Sequence, residues 1–157
     1  MDSANAYLVR MEVQNFAVLP PLLRGARLAA KLSQKAVAVQ LEIDQSHWCG
    51  IEKGRRPLPR EGALQRFAVL VRATASAAEE MHWAATHDRI VAQALKEKMP
   101  EPAVALLSKC LRAARVLSTT ELQGLLATVD SAIASKQELQ HLARRARSAN
   151  EEAAMQK

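Results

Sequence analysis

Aromatic side chains make up only 3% of this 157-residue chain, although hydrophobic residues reach 49%. The apolar content is mostly Ala, Leu and Val, which favours helices packed through small side chains and argues against sheets. An all-α fold is expected, with one small domain and an appendage that completes its core elsewhere. Cysteine is scarce too: Cys49 and Cys110 share no metal-ligand spacing, and no signal-peptide pattern opens the chain. A reduced, cytoplasmic setting follows. No apolar run approaches the roughly 18–20 residues that span a bilayer, so a soluble protein is expected. His82 and His87 lack the i,i+4 spacing of helical zinc ligands, and no metal or other cofactor is expected. Spacing assembles no Ser-His-Asp set, no paired carboxylate pocket and no glycine-rich phosphate loop, so the chain does not read as an enzyme.

Acidic residues are under-represented in one third of the chain. Pro20 to Arg72 holds ten Lys/Arg against Glu42, Asp44, Glu52 and Glu61, whereas the stretch from Ala73 onward, with eleven basic and ten acidic residues, is nearly neutral. A basic surplus confined to one segment implies an anionic partner for it, most commonly a phosphate backbone.

Three regions follow. Residues 1–19 form an arm whose alternating Tyr7, Val9, Met11 and Val13 fit a short strand or a frayed helix. Residues 20–75 hold four short helices. The first starts at Pro20 and Pro21 and runs to about Lys31. Ser33 caps a second, Gln34 to Leu41, and Asp44 a third, Gln45 to about Lys53, stopped by Gly54. A basic loop, Arg55 to Pro59, leads to a fourth with Leu64 and Phe67 on its apolar face. Residues 76–157 hold three more helices: one opened by a Ser76/Glu79 capping box, one over Ala103 to Leu117, and a long one opened by Ser118/Glu121 and fraying after about Asn150.

The second and third helices have the makings of a helix-turn-helix: two short helices, a tight turn, and a small residue at their crossing. With Gln34 as its first position, Ala38 is that small residue, and Val37, Leu41, Ile43, Trp48 and Ile51 form the buried face. Gln45, Ser46, Cys49, Gly50 and Lys53 face outward. A plain helical hairpin would share the apolar pattern but not the basic surplus.

The stretch LRGARLAAKLSQKAVAVQLEIDQSHWCGIEKGRR resembles the Xre type of the phage-repressor and Cro family. The resemblance covers about Leu22 to Ala73 and rests on Leu32-Ser33-Gln34, on Ile51 to Gly54, and on the basic loop behind. It implies a compact DNA-binding domain in which Gln34 contacts a phosphate and packs beside Gln45. Gln45 reaches a base edge, and Ser46, Cys49 and Gly50 face the groove. It also implies an ion pair between Arg27 and Glu52 that ties the first helix to the recognition helix. Independently of family, glutamine matches the N6/N7 edge of adenine in the major groove. Lys35, Lys53, Arg55 and Arg56 are placed to follow phosphates, supplying affinity rather than specificity. His47 either touches phosphate or faces solvent. Two positions depart from the family. Glu42 stands where the family commonly has glycine in a left-handed turn, at a cost of about 1 kcal/mol or more, which opens the turn to remodelling. Trp48 replaces a medium aliphatic residue, so a wider gap or a ring leaning toward DNA is expected, with Gly50 making room.

The last helix carries an apolar seam of Leu122, Leu125, Leu126, Val129, Ile133, Leu139 and Leu142. It serves either packing within the chain or dimerisation, and dimerisation is favoured because such regulators read two half-sites about one helical turn apart. The expectation is a homodimeric, sequence-specific regulator of transcription, most simply a repressor on an inverted repeat. The alternatives are an antitoxin whose helices after Met99 mask a protein partner, and a nonspecific coat for DNA.

Overall fold

The computed structural model describes residues 16–57 and 62–155. The segment before Phe16, and with it the choice between strand and helix there, lies outside the described residues, as do residues 58–61. Helices alone make up the regular structure of the described residues: α1 (Leu19–Ala29), α2 (Gln34–Gln40), α3 (Gln45–Glu52), α4 (Ala63–Leu70), α5 (Ala75–Lys96), α6 (Glu101–Val116) and α7 (Thr119–Met155). The protein is all-α, with a helix-turn-helix formed by α2 and α3.

Local chemistry sets most boundaries. Pro20 and Pro21 occupy the first turn of α1, where their missing N–H groups leave no bond unmade. Ser33 Oγ accepts from the Ala36 amide at 3.0 Å and starts α2. Asp44 has the extended backbone of a cap before α3, but its side chain makes no capping bond. The expected Ser76/Glu79 box does not open α5. Thr74 does so instead, its Oγ1 accepting from the Ala77 amide at 3.2 Å. The Ser118/Glu121 box forms: Glu121 Oε2 accepts from the Ser118 amide at 2.8 Å, and Ser118 Oγ accepts from the Glu121 amide at 3.4 Å. The Ser118 hydroxyl, donating to Oε2 at 2.7 Å, and then the Ser118 amide hold the Glu121 carboxyl below its usual range. Pro102 sits in the first turn of α6, as proline tolerates. The backbone of α7 stays helical past Asn150, as far as Met155.

Five helices stop in the same way. A residue with left-handed backbone follows each of α1 to α5, namely Lys31, Glu42, Gly54, Arg72 and Lys98, with φ between 53° and 66°. In each, that residue's amide and the next one fold back onto free carbonyls of the last turn: Glu42 to Val39 at 3.2 Å, for example, and Ile43 to Ala38 at 2.9 Å. The turn at Glu42 is therefore not remodelled. A residue with a Cβ adopts the conformation that glycine favours.

The chain divides into two compact units, one through Leu111 and one from Arg112 onward. In the first unit the apolar faces of α1 to α5 meet in one core containing Leu23, Val37, Ala38, Leu41, Trp48, Ile51, Leu64, Phe67, Met81 and Ala84. Met81 and Ala84 lie on α5, so this unit runs past the boundary expected near residue 75. A smaller cluster of Val91, Ala94, Leu95 and Val104 joins the end of α5 to the start of α6. In the second unit, α7 leaves Leu125, Leu126, Val129, Ile133, Leu139 and Leu142 exposed, Leu126 at 62% and Leu139 at 67%, while Leu122 is half-buried.

Candidate nucleic-acid interface

The site begins with a buried polar latch beneath α3. Arg27, on α1, donates through Nε to Glu52 Oε1 at 2.5 Å and through Nη2 to Oε2 at 3.0 Å. Its Nη1 donates to the Leu32 carbonyl at 2.8 Å, tying down the chain between α1 and α2. Gln34 Nε2, at the start of α2, donates to Glu52 Oε2 at 2.7 Å, and Trp48 Nε1 donates to Oε1 at 2.9 Å. Both carboxylate oxygens are thus doubly engaged, as a buried charge requires. Burial alone would push the Glu52 carboxyl up, but the bonds from Arg27, Gln34 and Trp48 outweigh it and hold the group below the usual carboxylate range. The Glu52 bond likewise raises Arg27 against its own burial. Glu52 therefore fixes α1 and α2 relative to α3.

Trp48 does not lean outward. Its ring is fully buried, 5.0 Å from the Phe67 ring at a 33° tilt, with the indole N–H satisfied by Glu52 one helical turn later. The large ring is accommodated by facing α4 and not by the space at Gly50. Ala38 and Ile51 are buried beside it.

Above the latch, α3 presents Gln45 and Ser46 to solvent and Cys49 partly. Gln34 is half-buried with its amide on Glu52, which leaves its carbonyl oxygen and one N–H for a further partner. Lys35, Lys53, Arg55 and Arg56 are exposed around the same end of the unit. Gly50, expected to face the groove, is buried instead, because Arg56 lies across it: a Cβ built on Gly50 would stand 3.0 Å from Arg56 Cγ and Cδ. Arg56 Nη1 approaches His47 Nδ1 at 3.3 Å, so His47 is engaged within the chain.

The structure assembles one constellation that sequence spacing did not. His87, 1% exposed, places Nδ1 2.9 Å from Asp88 Oδ1 and Nε2 3.0 Å from Ser108 Oγ. Asp88 in turn accepts from the amides of Val18 and Leu19 at 2.8 and 3.0 Å. The first turn of α1 has no capping side chain of its own, and Asp88 supplies one from α5. Ser108 is 6% exposed within α6, whereas a nucleophile needs an open face toward its substrate. The set is a tie between α1, α5 and α6. No sequence signal marks it, because its partners lie up to 70 positions apart.

Residues 22–81 match the family model described as a helix-turn-helix domain, the span that holds the latch and the exposed face of α3. No curated protein and no solved structure matches the chain. The match supports DNA binding by the first unit. No helix among the described residues is long and apolar enough to cross a membrane.

Proposed function

We propose that the protein is a cytoplasmic, sequence-specific regulator of transcription of the Xre type, a repressor that binds an inverted-repeat operator as a homodimer. The observation that carries this reading is the outer face of α3: Gln45 and Ser46 stand exposed on its first turn, with Lys35, Lys53, Arg55 and Arg56 exposed around it. The N-terminal turn of a recognition helix is the part that meets base edges in the major groove. The flanking cations set register and affinity on phosphates. In this reading Gln45 reads a base, Ser46 and Cys49 line the groove, and Gln34, Lys35, Lys53 and Arg55 contact phosphate.

The exposed seam of α7 supports self-association, because a run of Leu126, Ile133, Leu139 and Leu142 left to solvent is the kind of surface that another chain covers. The same seam also fits the second reading, an antitoxin-type protein that holds a protein partner there and its own operon through α3. A selection of bound duplexes from a random pool tests the function. A regulator enriches a two-fold symmetric site with half-sites about one helical turn apart. A nonspecific coat enriches nothing.

A further inference from the structure

Between the outer face of α3 and the basic turn behind it lies a cleft of about 240 Å³ lined by Ser46, Gly50, Arg55 and Arg56. The Arg55 and Arg56 amides both donate to the Gly50 carbonyl, at 2.8 and 3.2 Å, which fixes where the Arg56 side chain begins. Its methylenes then cross the bare backbone of Gly50, in the space that any larger residue's Cβ would need. Farther along, Nη1 reaches His47 Nδ1, which belongs to the first turn of α3. That bond uses one of the five guanidinium N–H donors and leaves the others for a partner.

A cation that only follows phosphates needs no such seating. Arg56 is anchored at its backbone, laid flat through a gap that only glycine leaves, and held at the end of α3 where base edges are met. A planar guanidinium in that place matches the O6 and N7 acceptors of guanine, which a single ammonium cannot match as a fork.

Resting on the DNA-binding reading above, the geometry points to Arg56 as a specificity-determining residue that reads a guanine edge in the major groove, with Gly50 and His47 as its seat. Sequence position alone assigns it to phosphate.

The test uses the full chain. Duplexes are selected from a random pool with the wild type and with Arg56→Ala, a change at an exposed site. The wild type should enrich guanine at one position of each half-site, and Arg56→Ala should lose that preference alone. On the wild-type consensus the variant should bind about 5- to 150-fold more weakly, with a much smaller change on random duplex. Replacing that guanine by 7-deazaguanine should weaken the wild type and leave Arg56→Ala unaffected. Gly50→Ala gives a second handle: its methyl displaces Arg56, so the guanine preference should fade in a protein that melts no lower than the wild type. If Arg56→Ala keeps the guanine preference and loses equally on consensus and random DNA, Arg56 is a phosphate contact and the proposal falls. An unchanged guanine preference in Gly50→Ala would also overturn it. A wild-type pool that enriches nothing overturns the DNA-reading premise as well, a failure distinct from the other two.

Discussion

Replacing Glu42 by glycine should stabilise the protein, even though it removes a side chain and adds freedom to the unfolded chain. Glu42 is exposed at φ 57°, and its carboxylate forms no hydrogen bond or ion pair among the described residues, so truncation forfeits little. An L-residue in the left-handed region pays roughly 1–2 kcal/mol, and glycine returns about 0.5–1 kcal/mol of that through its larger entropy loss on folding. The net gain is about 0.5–1 kcal/mol. With a urea slope near 2 kcal/mol/M the midpoint should rise by roughly 0.3–0.5 M. Glu42→Ala is the control: it keeps the Cβ and should gain nothing. Equal gains from Ala and Gly would attribute the effect to lost charge, and a neutral or destabilised Glu42→Gly would refute the conformational argument. The same substitution at Lys31, Arg72 and Lys98, each ending a different helix, should add nearly independently.

Glu52→Gln should destabilise the first unit by about 3–5 kcal/mol, because Arg27 is left buried without its counter-charge; urea denaturation followed by tryptophan fluorescence measures it. The same residue sets a pH dependence. Its folded carboxyl lies below the ordinary range, so its contribution is complete above the unfolded value of about 4.3 and is lost as pH falls through the folded one. Acid titration of Glu52→Gln should therefore show a shallower loss over that interval than the wild type. Asp88→Ala removes the only side-chain cap of α1 among the described residues together with one of the two partners of His87, and should cost about 1–2 kcal/mol by thermal melting. Leu126→Asp with Ile133→Asp leaves the chain's own fold intact, since both residues are exposed, but should halve the mass seen in sedimentation. An unchanged mass would rule out α7 as the interface of the proposed homodimer.

The helices were legible where the signal is local. Ser33, Ser118/Glu121, Gly54 and the paired prolines act on neighbouring amides, so type and spacing placed α1, α2, α3 and the start of α7 within a residue or two. The Arg27–Glu52 pair came through family resemblance and lies where the resemblance put it. What remained illegible depends on three-dimensional company. Trp48 turned inward because Phe67 offers a ring face and Glu52 an acceptor, neither apparent from the volume of the indole. Thr74 displaced Ser76 as cap because α5 begins two residues earlier than the Ser76/Glu79 pattern suggests. Gly50 reads as a small groove-facing residue until the returning loop lays Arg56 across it. Besides the neighbouring His87 ring, Asp88 binds the amides of Val18 and Leu19, some 70 positions away, which no local pattern announces.

If the exposed first turn of α3 reads sequence, titrating Gln45→Ala against the wild-type consensus and against random duplex will separate the two DNAs. The variant should lose roughly 1–3 kcal/mol on the consensus and change little on random DNA. Equal losses on both would contradict that reading.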